Sequence, residues 1–384
     1  MKPDHPLLSV IVPAHRGMQV LPKSLGALTG SDLPRQCWEL IVVDDGSPDE
    51  TPALAARWAD VVVRIPGLPH GPGYARNRGV EAARGEVVVF VDADVVVHPS
   101  TLRQIAWAFT GDPSLGALFG SYDDRPPGSS FVSRYRNLLH HWHHQQGAGE
   151  AETFWAGCGA VRRSVFLAAG GFDEWHYRKP SIEDVELGHR IRGLGHRILL
   201  QPEIQCTHLK QWTLWNVVRT DVKDRGVPWM RLLLQEGKLG QRRSLNLKTV
   251  EKVNTAAVGL ALLLLAGALL LRDPRLVLLA ALLLAGVGLT NLSFYRFLRR
   301  AGGFGFTLAV FPVHLLYYVL NGVCASVGWL LHHLVGEPMP EPAVQAWAEV
   351  GVAQWPPVPR RLAVGPWVSA PAPKPAVADA ATAG

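Results

Sequence analysis

Beyond about residue 250 this chain stops using charge. Val253 to Leu271 and Leu276 to Phe294 each run 19 residues without a charged side chain, and Phe304 to Leu331 runs 28, with Pro312 and His314 inside it. A helix of about 20 apolar residues crosses a hydrocarbon core of about 30 Å. About three transmembrane helices are therefore expected, at 253–271, 276–296 and 304–331. The linker Arg272-Asp273-Pro274-Arg275 leaves room only for a tight hairpin between the first two. Arg242, Arg243, Lys248 and Lys252 precede the first run and Arg296, Arg299 and Arg300 follow the second, whereas Glu337 and Glu341 follow the third. Positive residues are retained on the cytoplasmic side. The expected topology is thus a multi-pass protein of the cell (inner) membrane, with everything before residue 250 cytoplasmic and the C-terminal end outside. Pro312 and His314 give the third run a second reading, a re-entrant or interfacial element, which would leave the C-terminal end on the cytoplasmic side.

That asymmetry explains an overall composition of 48% hydrophobic and 18% charged residues, which is apolar for a soluble enzyme. It divides the 384 residues into a folded unit over 1–210, interfacial helices over 211–250, membrane helices over 251–336 and a disordered Pro- and Ala-rich tail over 337–384. The interfacial assignment rests on Trp212, Trp215 and Trp229 mixed with Lys210, Arg219, Lys223, Arg225 and Arg231. Tryptophan among cations suits the headgroup zone. A net charge of +6 suits anionic lipids and phosphorylated substrates. Nucleic acid would give the same sign, but no nucleic-acid partner is expected. Cys37, Cys158, Cys206 and Cys324 form no C-x-x-C pair, so neither a disulfide framework nor a zinc site is indicated. The first residues, MKPDHPLLSVIVPAHRG, lack the long apolar segment of a signal peptide.

Residues 1 to about 120 alternate β-branched runs (LLSVIVPA, ELIVVDD, DVVVRIP, EVVVFVDAD) with amphipathic stretches. That rhythm predicts an α/β fold, a mostly parallel sheet flanked by helices, with polar chemistry at the carboxyl ends of its strands. Two aspartate motifs stand at such ends. Asp92-Ala93-Asp94 closes the fourth run, and alternating carboxylates there can ligate a hard divalent cation, Mg2+ or Mn2+, or bind a ribose. Asp44-Asp45-Gly46-Ser47 closes the second; a carboxylate at that position can accept a base N–H, while Ser47 or Asp49 suits the N-cap of the helix that follows.

The run from Gly71 to Gly79 is not a dinucleotide fingerprint, because Arg76 fills the third glycine position. A helix beginning near Gly73 would aim backbone N–H groups, and Arg76, at phosphates. Glu183 and Asp184 open the helix IEDVELGHRIR, and either carboxylate is a candidate general base, although acidic residues also suit a helix N-terminus electrostatically. His208 is a candidate third metal ligand. His140, His141, His143 and His144 lack a closed zinc set and read as a polar helix face near an acceptor or the membrane.

Taken together these residues resemble the family 2 glycosyltransferases of the GT-A fold. The resemblance covers about residues 7 to 210 through SVIVPAHRG, VVDDGSPDET, GPGYARNRG, FVDADVVVHP, FWAGCGAVRRSVFLAAGGFDE and IEDVELGHRIRGLGHRI. It implies a nucleotide-sugar donor. Pro13, Ala14 and Asp45 would contact the nucleoside, with His15, Arg76 and Ala93 completing the donor set. Asp92 and Asp94 would bind the diphosphate through the metal, Asp184 would be the base of inverting transfer, and Gly159 to Glu174 would line the acceptor side. Processive members that extrude polysaccharide carry a Gln-x-x-Arg-Trp motif, absent here, where HLKQWTLW stands instead. A single transfer to a membrane-proximal, lipid-linked acceptor is therefore favoured over polymer synthesis. A nucleotidyltransferase would carry a basic glycine-rich loop where this chain has Pro13-Ala14-His15-Arg16, and a non-catalytic scaffold would have no need of every one of these carboxylates.

Overall fold

The computed structural model describes residues 6–127, 130–237 and 248–336. The expected tail at 337–384, and the cations Arg242 and Arg243, lie outside the described residues.

The four apolar runs become β1 (Leu8–Ala14), β2 (Trp38–Asp45), β3 (Val61–Ile65) and β4 (Val87–Val91), all parallel in the order β3-β2-β1-β4. These strands are apolar throughout because both faces are covered. Val10, Val12, Leu40 and Val42 pack under α1 (Leu21–Thr29) and α4 (Thr101–Gly111), while Ile11, Ile41 and Val43 pack under α3 (Pro72–Ala82). Side chains alternate across a strand, so one apolar run feeds two cores. The short α2 (Thr51–Ala55) follows β2.

The second half of the sheet is mixed, where the sequence rhythm predicted a mostly parallel one. β5 (Val95–Val97), β6 (Leu115–Tyr122), β7 (Gly149–Glu150), β8 (Cys158–Arg162) and β9 (Arg197–His208) extend it as β4-β8-β6-β9-β5, with β7 on β9. Only β6 and β9 are parallel; β8 runs against both β4 and β6, and β5 and β7 run against β9. The cause is local. The chain enters β8 at the end where β4 stops, and Asp92 N donates to Gly157 O at 3.2 Å. This reversal lays the Asp92-Ala93-Asp94 turn beside residues 156–157.

Four helices then carry the chain between sheet and membrane elements: α5 (Phe131–Gln145), α6 (Arg163–Ala168), α7 (Glu183–Gly193) and α8 (Leu214–Arg219). A π-helical turn, Thr220–Gly226, joins α8 to α9 (Val227–Gln235). Next, α10 (Thr249–Leu271) and α11 (Pro274–Thr290) form the expected hairpin, with Arg272 left-handed at φ 53° and the Asp273 side chain capping Arg275 N. The last helix, α12 (Leu292–Val335), is 44 residues long and is broken at Gly303, whose φ of 83° a side chain rarely adopts. Among the described residues α10 and α12 are long and apolar enough to cross a membrane, while α11 is apolar but shorter, at 17 residues. The expected second span thus ends at Thr290 rather than at 296. The expected third span, 304–331, is the part of α12 that follows the break.

Candidate active site

The carboxyl ends of β1, β2 and β4, the start of α7 and the end of β9 supply the polar residues. At the first of these, β2 ends in Asp45, whose carboxylate accepts the backbone N–H of His70 at 3.0 Å and of Gly71 at 2.8 Å. Gly71 has φ 104°, and a Cβ there would stand 2.1 Å from Arg178 O, so only glycine lets the loop close over Asp45. Asp45 therefore fixes the loop that opens α3. His15 is exposed and its Nδ1 lies 2.8 Å from Asp45 O. Pro13 and Ala14 end β1 beside Val43 and Asp44. Ala93 packs toward the core under α4, away from the turn's carboxylates.

Arg76 departs most from the sequence reading. It is 4% exposed, and its guanidinium donates to Asp92 Oδ1 at 2.7 Å and to Glu183 Oε1 at 3.0 Å. Burial disfavours its charge, but Asp92 and Glu183 outweigh that and hold it protonated. Two expectations change with it. Glu183 is buried, bonded to Arg76 and to Ser181 N (2.8 Å), so it positions Arg76 and is not a free base. Asp92 gives one oxygen to Arg76, leaving only the other for a cation.

Asp184, next to Glu183, has no such cation. Its Oδ2 accepts Ala156 N at 3.1 Å. Burial, and then repulsion from Glu183, raise its carboxyl to about 7. A carboxylate poised near neutrality is what proton transfer requires. Arg76 ties the Asp92 turn to the start of α7 and so fixes Asp94 and Asp184, the residues beyond its two partners, relative to each other.

Asp94 faces His208 at the end of β9, Oδ2 to Nε2 3.5 Å, and Asp94 O accepts Leu209 N at 2.8 Å. Burial would raise Asp94, but the hydrogen bond and charge of His208, with the charge of Lys210, hold it below its ordinary value. His208 is gripped on two sides. Its ring stacks on Tyr122 (4.4 Å between centroids, 7° between planes), and its Nδ1 lies 3.1 Å from Asn137 Oδ1 on α5. If a cation took the place of the Nε2 proton, an imidazole held in this way would present its Nε2 lone pair beside Asp94. The donor set of Asp94, His208 and the free oxygen of Asp92 suits Mg2+ or Mn2+. Among the described residues these three are not gathered into a ready-made cage, so a cation here would take further ligands from a diphosphate and water.

Other residues escaped the sequence reading. Tyr122 and Asn137 orient His208. Arg225, exposed on the π-helical turn, makes no hydrogen bond or ion pair among the described residues, and its charge acts on Asp184, Tyr122 and Lys210. That turn sits against the start of α7, since Ser181 Oγ donates to Asp224 O. An interruption of helical period beside basic residues was the only signal available. The Gly170-Gly171-Phe172-Asp173-Glu174 stretch, expected to line the acceptor side, is a clamp on α3. Asn77 exchanges hydrogen bonds with Phe172 O and N (both 2.9 Å) and donates to Glu174 Oε2 at 2.7 Å. The α5 histidines bridge two regions. His141 and His144 reach Tyr122 O (2.7 Å) and Gly120 O (3.0 Å) on β6, while His143 approaches Tyr317 of α12.

Residues 9–168 match the profile described as Glycosyl transferase family 2. The chain is 27% identical over 230 residues to probable glycosyltransferase YdaM of Bacillus subtilis, covering 56% of this chain and 54% of that protein. It is 28% identical over 225 residues to the pre-mycofactocin glycosyltransferase of Mycobacterium tuberculosis, covering 55% and 45%. The chain thus spans about half the length of these curated relatives. Among solved structures, the mannosyltransferase PcManGT from Pyrobaculum calidifontis, in complex with GDP-Man and Mn2+, shares the fold with TM-score 0.52 at 19% identity, over 87% of this chain and 88% of that one.

Proposed function

From the match of residues 9–168 to the glycosyl transferase family 2 profile we propose that this chain is a membrane-anchored glycosyltransferase. It moves a sugar from a nucleotide-sugar donor to the hydroxyl or phosphate oxygen of a membrane-proximal, lipid-linked acceptor, with inversion at the anomeric carbon. The catalytic part is cytoplasmic, on the side of Lys248, Lys252, Arg296, Arg299 and Arg300. The observation that carries the reading is the pairing of one carboxylate near neutrality that no cationic side chain bonds to, Asp184, with a separate carboxylate kept ionised, Asp94, their neighbours Glu183 and Asp92 being tied together by Arg76.

The nucleoside lies over the ends of β1 and β2, near Pro13, Ala14, His15 and Asp45. Asp94, His208 and the second oxygen of Asp92 would hold Mg2+ or Mn2+, which when bound neutralises the diphosphate leaving group. Asp184 takes the proton of an acceptor hydroxyl, or accepts a hydrogen bond from a protonated acceptor phosphate. The acceptor oxygen bonds to the anomeric carbon as the carbon–oxygen bond to the β-phosphate breaks, and that electron pair leaves with the nucleoside diphosphate. Arg76 moves no proton. It keeps the Asp92 turn and the start of α7 in register, which is how positioning lowers such a barrier.

The test is a donor screen on the full chain in membranes. UDP-, GDP- and dTDP-sugars are each supplied with Mg2+ or Mn2+, and nucleoside diphosphate release is scored with and without membrane lipid extract. Release with one donor class, abolished by EDTA and stimulated by lipid, is expected. No release from any donor, in membranes where the chain is folded, would overturn the reading.

A further inference from the structure

The part of α12 that follows Gly303 passes every compositional test for a transmembrane helix, yet its contacts belong to one side of a membrane. At its start, Phe306 packs edge-on against Phe131 of α5 at 5.5 Å, and Arg134 reaches back to Ala301 O. Farther along, His314 lies 6.4 Å from Tyr135 and Tyr317 lies 6.3 Å from His143, so the helix follows α5. Cys324 Sγ then donates to Asp221 O at 3.5 Å, and a Cβ on Gly226 would stand 2.4 Å from that sulfur. At the far end Gly328 lies under Met230, and Arg231 donates to Gly336 O.

Every one of these partners is fastened to the catalytic part. α5 is hydrogen-bonded to β6 through His141 and His144 and to β9 through Asn137. The π-helical turn is paired to α5 by Arg136 and Asp221 at 2.9 Å and to the start of α7 through Ser181. The end of α9 meets α7 where Glu236 lies 2.6 Å from His189. A helix from Phe304 to Val335 is about 48 Å long at 1.5 Å per residue, half as long again as a hydrocarbon core of about 30 Å. A crossing helix leaves the domain it starts from. This one touches that domain at both ends and in between.

We propose that α12 lies flat on the bilayer surface, and that the α10–α11 hairpin supplies both membrane crossings. Its outward face fits that role. Phe304, Leu308, Val323, Val327, Leu330 and Leu334 are exposed and fall on one stripe at helical spacing, opposite Val310, His314, Tyr318, Cys324 and Gly328, which are buried. The occupant of the stripe is an anionic phospholipid bilayer. Arg296, Arg299 and Arg300 cluster where α12 begins, Lys248 and Lys252 stand at the start of α10, and cations beside an apolar face match anionic headgroups. The hairpin continues the same surface. At its base Asn254 bonds to Tyr318 of α12 and to Thr290 across the hairpin, and Val258 and Val287 pack with Tyr318. Beyond the base, Leu263, Leu269, Leu270, Leu278 and Leu282 stand bare. About 14 residues then lead to Arg272, or roughly 20 Å of helix, which added to the thickness of α12 itself reaches the far headgroups.

Two crossings return the chain to its starting side, so the end of α12 shares the compartment of the active site. The first test uses the full chain in bacterial cells with its native cysteines replaced by alanine and single cysteines introduced as Asp273→Cys or His333→Cys. Each is probed with a membrane-impermeant maleimide. D273C should label in intact cells and H333C only after permeabilisation. Labelling of H333C in intact cells, or of D273C only after permeabilisation, would overturn the proposal. Because replacing buried Cys158 and Cys206 risks the fold, the second test leaves every residue native. Green fluorescent protein fused after the chain should fluoresce, and alkaline phosphatase fused there should be inactive; the reverse pattern overturns the proposal. Neither readout needs sugar transfer, so a catalytically silent chain with the expected labelling would sink the proposed reaction and leave the membrane arrangement standing.

Discussion

The two halves of the sheet handle their carboxylates differently. In the parallel half, Asp45 spends both oxygens on the N–H groups of His70 and Gly71, and Asp92 gives one to Arg76. In the mixed half, Asp184 also accepts two backbone N–H groups, those of Ala156 and Val185, but no guanidinium bonds to it or to Asp94, and Arg225 has no acidic partner among the described residues. The difference separates scaffold from chemistry. Acidic residues at the ends of β2 and β4 build a fixed frame for a donor, and those arriving from α7 and the Asp94–His208 contact remain free to react.

The sharpest way to break that division is Asp94→Ala. It should abolish turnover and metal-dependent donor binding while leaving the unfolding midpoint near that of the parent; near-normal turnover would return Asp94 to the scaffold. Asp184→Asn comes next. Loss of a general base typically costs about 10^2- to 10^4-fold, and donor affinity measured by calorimetry should stay unchanged. A large loss of donor affinity with normal turnover would remove Asp184 from the proton path.

The same carboxyl predicts a pH profile. Its folded value is raised to about 7, so below that pH it holds its proton and cannot accept another. The transfer rate of the parent should climb with pH through about 7 and flatten above it, and the climb should vanish in Asp184→Asn. A flat parent profile between pH 5.5 and 8 contradicts the assignment.

Arg76→Gln probes the scaffold side. Removing one partner from a buried ion network typically costs about 3–5 kcal/mol, so the denaturant midpoint should fall steeply, whatever the assay for transfer shows. A midpoint within error of the parent would mean that Asp92 and Glu183 do not depend on it. The smallest effect expected is from Arg225→Gln. A charge-assisted hydrogen bond to a phosphate is worth about 1.5–3 kcal/mol, so a rise of about 10- to 100-fold in KM for donor or acceptor is expected, and none in Arg219→Gln on the neighbouring helix. Equal effects from both would reduce Arg225 to background charge.

Much of the frame was legible in sequence because buried parallel strands write themselves as apolar runs whose ends are acidic. VIVPA, LIVVDD and VVVFVDAD mark β1, β2 and β4 and, with them, Asp45, Asp92 and Asp94. The base position was narrowed to two neighbours, and only three-dimensional pairing separates them, because Arg76 is 107 residues from Glu183. The same contact makes Arg76 a strut between the Asp92 turn and α7, a role the sequence did not suggest. Strand direction in the second half was illegible for a related reason: whether β8 runs with or against β4 depends on which end the chain arrives from, and that is set by loop geometry around residues 156–157. Hydropathy found α10, α11 and α12 but carries no information on which neighbour covers a helix, so the course of α12 under α5 and α9 came only from contacts.

Arg76 also constrains how this molecule can change over generations. Its guanidinium answers to Asp92 and Glu183 at once, so a neutral residue at either position strands the charge on the other and pulls on the turn or helix attached to it. Positions 76, 92 and 183 are consequently coupled in energy, so that what is tolerated at one depends on what stands at the other two.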